Sequence, residues 1–129
     1  MNEVSIPILN NEYKVIVCWG PISTTIKILN NWGYDDVEPE MFANHRGITF
    51  TRRSCHPVIV LPKFPKSASE IATFTHETVH AVSDIFEKIG ETSRGEIFAH
   101  SVGAVVRQTL QITEKHVKSK NPTRQRKGI

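Results

Sequence analysis

The segment FTHETVHAVSDIF, residues 74 to 86, carries two histidines four positions apart, His76 and His80, with Glu77 directly after the first and Asp84 four beyond the second. On a helix, positions i and i+4 lie one turn apart on the same face. Both imidazoles can therefore reach one Zn²⁺ at about 2.0–2.1 Å. The glutamate after the first histidine points to the side of that face, where it can take a proton from an activated water instead of binding the metal. Asp84, one turn past His80, is placed to brace the site as a hydrogen-bond acceptor or an added charge. The pentapeptide H-E-x-x-H also arises by chance, and an exposed helical face carries polar residues anyway, so the context must decide its weight.

A catalytic zinc takes three protein ligands and keeps one position open. The candidate third ligand is Glu96 in RGEIFAHSVG, which a bend at Gly90 would bring back towards the two histidines. Ser93-Arg94-Gly95-Glu96 equally fits a capping box, in which Glu96 serves only the start of its own helix. His100, one turn further, is an alternative ligand or a contributor to catalysis. Gly103 and Arg107 fall on the same face, and a glycine there would let the second helix approach the first closely. A developing oxyanion could be met by His100, Arg107, His56 or His45. Cys55-His56 is another pair with affinity for metal, although two adjacent residues before a strand usually point to opposite faces.

The elements that must position these residues follow from periodicity and punctuation. Ser67-Ala68-Ser69-Glu70 fits a capping box and Gly90 a helix stop. Between them Ile71, Phe74, Thr78, Val82, Ile85 and Ile89 recur every three or four residues, which predicts one helix carrying the whole motif. A second helix is expected from near Ser93 to about Lys115, with Ile97, Phe98, Val102, Val105, Val106 and Leu110 buried. Upstream, Val4, Ile6 and Ile8 alternate, Asn10-Asn11 offers a turn, and YKVIVC (13–18) is a β-branched run, so a hairpin is expected. Pro21 to about Asn31 reads as a short helix stopped at Gly33. GITFTRR (47–53) and PVIVLP (57–62) are short strands; the second, bounded by prolines, is expected at a sheet edge. Strands first and helices last predict an α+β fold: a short, mostly antiparallel sheet packed against the H-E-x-x-H helix and a following C-terminal helix.

The 129 residues suit one domain, expected over residues 1–114. Residues 115–129 form a basic tail holding six of the sixteen Lys and Arg and none of the thirteen acids, so the rest of the chain carries net −3. Such a tail, Lys115 to Lys127, reads as solvated and disordered, and it could make salt-sensitive contact with nucleic acid, although no aromatic residue is interleaved to stack on bases. No apolar run approaches a membrane span and the N-terminus lacks a signal-peptide pattern, while Cys18 and Cys55 are only two cysteines. A cytoplasmic protein with reduced thiols is expected.

HETVHAVSD resembles the zinc helix of the thermolysin-like gluzincins, whose motif continues H-E-x-x-H-A-V-[ST]-D. The pattern of short strands, then F-x-H-E-x-x-H-A-V, then E-x-x-A-[YH]-x-V-G, is closer to small single-domain zincin-like metallopeptidases of bacteriophages and prophages, over about residues 45 to 107. The resemblance implies a zincin-like domain with Zn²⁺ as cofactor, held by His76, His80 and Glu96. It implies Glu77 as general base; from their places on the helix faces, His100 is expected to assist catalysis and Asp84 and Arg107 to support the site. It implies a peptide or protein substrate lying along an edge strand, with Gly47–Arg53 or Pro57–Leu61 in that part, and a phage-encoded protein would work in the host cytoplasm. The His80–Glu96 separation is short for thermolysin-like enzymes, and no counterpart of their second domain is expected. A zinc-stabilised, non-catalytic module binding a host or regulatory protein is the alternative, and a nucleic-acid accessory protein acting through the tail is another.

Overall fold

Val4, Ile6 and Ile8 are buried while Ser5 and Pro7 face out, the period-two pattern that makes β1 (Glu3–Ile8) a half-covered strand. The computed structural model describes residues 1–91 and 94–119, with side chains through residue 111. Leu9, Asn10 and Asn11 all take positive φ, and the two asparagines tolerate this at the turn into β2 (Tyr13–Trp19). The two strands pair antiparallel from Glu3↔Cys18 to Ile8↔Tyr13. The hairpin is as the sequence predicts.

β2 is buried along nearly its whole length because it is covered on both faces. Val15, Val17 and Trp19 point to one core, Ile16 and Cys18 to another. Helix α1 (Ile22–Asn31) packs Ile28 and Leu29 into the second core together with Tyr34. A single 3-10 turn at Pro39–Phe42 then leads to β3 (Ile48–Phe50) and β4 (Val58–Leu61). The sheet order is β1-β2-β4-β3, with β2 and β4 parallel and the outer pairs antiparallel. The described residues form a small α+β domain with a four-stranded mixed sheet and three helices.

The expectation of an edge position for PVIVLP is corrected here. β4 lies inside the sheet, and β1 and β3 are its edges. Pro57 and Pro62 sit just outside the ladder, so no ladder N–H is lost, and the Pro57 carbonyl still accepts from Ile16 N at 3.0 Å. All four β4 residues are buried, as a strand covered on both faces requires.

The opposite sheet face carries α2 (Ala68–Lys88) and α3 (Glu96–Ser119). Ser67 closes the start of α2 with a full capping box, its hydroxyl accepting from Glu70 N at 3.1 Å while Ser67 N donates to Glu70 at 3.0 Å. Hydrogen bonds from Lys63 and from the Ser67 and Lys66 backbone hold the Glu70 carboxyl down at about 2. Phe74, Ala81, Val82, Ile85 and Phe86 of α2 join Val105 of α3 and the sheet residues Ile6, Val17 and Ile59 in the main core.

α3 differs from expectation at both ends and in Ile97, while Val105 is buried and Phe98, Val102 and Val106 pack against the core as expected. It starts at Glu96 and continues to Ser119; Ser93 and residues 120–129, on which the capping alternative and the rest of the expected disorder fall, lie outside the described residues. Among its described side chains Ser101, Val105 and Thr109 are buried, with Phe98 packed edge-on against Phe86, whereas Ile97 is 67% exposed. Ser101 and Thr109, about two turns apart with Val105 between them, face the core, and Ile97 does not. Among the described residues no helix is long and apolar enough to cross a membrane.

Candidate metal centre

The buried stripe of α2 decides where the histidines go. With Phe74, Thr78, Ala81 and Val82 turned to the core, His76 and His80 fall on the solvent side. Their Nε2 atoms lie 3.2 Å apart, with the rings edge to face at 82°. Two nitrogens bound to one tetrahedral ion at about 2.0–2.1 Å would be separated by roughly 3.3 Å. That spacing suits a shared ion, and it equally suits a direct N–H···N hydrogen bond between the two rings.

Glu77 turns from that face towards the sheet edge. Thr49, in the middle of β3, places its Oγ1 2.8 Å from Glu77 Oε1 and 3.0 Å from the Glu77 carbonyl oxygen, so its single proton is shared between the two acceptors. The strand can come this close because of Gly47. A Cβ at that position would lie 3.1 Å from both Glu77 Cγ and Thr73 Cγ2 and 3.3 Å from Leu61 Cδ2. Neither Thr49 nor Gly47 is singled out by the sequence reading. The available signal was a glycine at the head of a β-branched edge strand, where a backbone often passes close to another element.

Between β3 and α2 runs an open cleft of about 540 Å³, whose walls include His45, Gly47, Thr49, Glu77, His80 and Asp84. Of the four residues considered for an oxyanion, His45 is the one that reaches this cleft. His56 lies elsewhere: its Nδ1 accepts from Lys14 N at 3.2 Å and its ring meets Trp32 edge to face. Burial, helped by the nearby Lys14 and Lys88 charges, lowers the His56 pKa and keeps the ring a neutral acceptor. Its neighbour Cys55 is a free thiol near Gly33. Asp84 borders the cleft, but its carboxylate meets Lys88 Nζ at 2.7 Å in a mostly buried pair, with no hydrogen bond to His80. Lys88 also donates to the Cys55 carbonyl, tying the end of α2 to the loop before β4.

The residues expected from α3 are not brought to this place. Glu96, with 93% of its side chain exposed, stands 3.8 Å from His100, itself 84% exposed. Glu96 borders a separate cavity with Leu9, Phe86 and Ile97. Arg107 is exposed as well, and a Cβ on Gly103 would meet nothing within 4 Å, so this glycine mediates no close helix approach. The physical reason is angular. Phe98, Ser101, Val105 and Thr109 dock α3 on its neighbours, and residues 96, 100, 103 and 107 then fall on the far side at about 100° per residue. Among the described residues no group of three His, Cys, Asp or Glu side chains is placed to hold a metal ion.

Comparison of the chain with protein-family models, with curated proteins and with solved structures finds no match.

Proposed function

We propose that this protein is a zinc-dependent hydrolase of peptide bonds, with His76 and His80 as metal ligands and Glu77 as general base. The observation that carries this reading is the His76–His80 pair at 3.2 Å beside a carboxylate that an edge strand holds in place. Zinc bound there would supply Lewis acidity and lower the pKa of a coordinated water. Glu77, with one oxygen fixed by Thr49, keeps its other carboxylate oxygen for a proton from water in the cleft. β3 offers the free backbone groups of a sheet edge, on which an extended peptide can pair with its carbonyl towards the imidazoles.

Two ligands from a single helix hold an ion less tightly than three, so occupancy should follow the zinc concentration. Glu96, His100 and Arg107 do not supply the third protein ligand that a catalytic zinc ordinarily has, so water or a substrate group would have to fill that position as well as the open one. A second reading, a metal-responsive module that binds a protein without cleaving it, is favoured by the same two-ligand geometry. One experiment separates them: metal-depleted protein is titrated with zinc against a mixed peptide pool, beside Glu77→Gln. Zinc-dependent cleavage that disappears in Glu77→Gln while zinc uptake persists supports the hydrolase. Uptake with no cleavage in either protein supports the module, and no uptake by either removes both.

A further inference from the structure

A second cavity, of about 410 Å³, opens where the loop before β3 meets the first turns of α2. Leu61, Pro62 and Pro65 give it an apolar floor, and Arg46 and Lys63 bring two cations to its lining. Its size suits one or two residues of a peptide. It adjoins the cleft already described: His45 borders both, and Gly47 sits against Thr73 of one and Glu77 of the other. Thr73 precedes Glu77 by one helical turn, about 6 Å. A peptide residue lodged here would neighbour the bond facing Glu77.

The charges along this groove are segregated. Glu77, Asp84 and Glu87 border the central cleft, whereas the end cavity has Arg46 and Lys63 against a single acid, Glu70. Lys63 is engaged, its Nζ 2.8 Å from Glu70. Arg46 has no hydrogen-bond or ion-pair partner among the described residues, and its planar fork of donors matches a carboxylate. The Arg46 guanidinium would draw an anionic group to this end, which sets the register of the chain in the groove.

We infer that the cavity between the Arg46 loop and the start of α2 is a subsite for a carboxylate on the peptide, either its C-terminus or an Asp or Glu side chain next to the cleaved bond. The inference rests on the reading of the His76–Glu77–His80 face as a peptidase site. Its test uses the full chain as Glu77→Gln, so that binding is read without turnover, and fluorescein-labelled peptides matched in pairs. One pair differs as free acid against C-terminal amide, the other as internal Glu against Gln, and each is measured by anisotropy at low salt.

The carboxylate member should bind about tenfold more tightly, as a charge-assisted pair predicts. Adding Arg46→Ala should abolish that difference and leave the neutral peptides unchanged, while Arg46→Lys should keep part of it. The pair that shows the preference names the source of the carboxylate. Equal affinities within both pairs, no binding of any peptide, or a preference that survives Arg46→Ala overturns the subsite. Zinc-dependent cleavage by the unmodified chain is scored separately. Cleavage without charge preference removes the subsite alone, and preference without cleavage supports the subsite while removing catalysis.

Discussion

Thr49 Oγ1 lies 2.8 Å from Glu77 Oε1, joining the middle of the edge strand to the acid between the two histidines. The bond makes β3 more than a rim. It fixes one carboxylate oxygen of a residue that lines the cleft. Thr49→Val keeps the shape and removes the donor, and should cost about 1 kcal/mol of stability. If Glu77 moves protons, kcat should fall several-fold with zinc uptake unchanged, and Thr49→Ser should restore it. A kcat unaffected by Thr49→Val would show that the hydroxyl is only structural.

Zinc binding should depend on α2 and be indifferent to α3. His76→Ala and His80→Ala should each lose most zinc uptake in equilibrium dialysis followed by metal analysis. Glu96→Ala and His100→Ala should keep it, since both side chains stand in solvent on the far side of α3. Loss of zinc in Glu96→Ala would overturn the outward placement of that helix face.

Gly47→Ala tests the close approach of strand and helix. The added methyl would meet Glu77 Cγ and Thr73 Cγ2 at 3.1 Å, tighter than ordinary contact. Overpacking of this kind costs about 1–3 kcal/mol, offset by about 0.4–1 kcal/mol from a stiffer unfolded chain. A net loss of about 1 kcal/mol in denaturant unfolding is expected, with weaker turnover because β3 is pushed away from Glu77. Unchanged stability and turnover would mean that the side chains yield freely.

Stability should decline at both ends of the pH scale, for different reasons. Burial, with Glu3 adding to it, raises the Cys18 thiol to about 12. The unfolded thiol ionises near pH 8.5–9, so this contribution is complete below that range and is lost as pH rises from about 9 towards 12. His56 has its pKa lowered by burial. Its contribution is present above the unfolded value near 6.5 and is lost as pH falls below it. Denaturant midpoints across pH should show both declines; Cys18→Ala should flatten the alkaline one and His56→Gln the acidic one. In thiol labelling at pH 8, Cys55 should react well before Cys18, which is fully buried.

The parts of the fold legible in the sequence are those written in local code. Ser67 and Glu70 announce the start of α2, and the 74–86 spacing puts both histidines on one face. The β1–β2 hairpin is likewise carried by alternation and an Asn-Asn turn. What failed depended on how elements meet. The α3 sequence has apolar residues spread over two thirds of its circumference, and only docking against Phe86 selects Phe98 over Ile97. That rotation carries Glu96, His100, Gly103 and Arg107 away from α2. Thr49 was illegible for the same reason, since its importance comes from a partner 28 residues away.

Drawing both imidazoles from one helical turn has a thermodynamic corollary. A crosslink stabilises a fold mainly by the chain entropy it removes from the unfolded state, and that entropy grows with the length of chain enclosed. An ion bridging His76 and His80 encloses only four residues, which α2 already orders. It would therefore stiffen one turn without binding distant parts of the domain to each other. The work of holding sheet and helices together stays with the two hydrocarbon cores on either side of β2 and β4, and a metal bound at this surface would come and go without unmaking the fold.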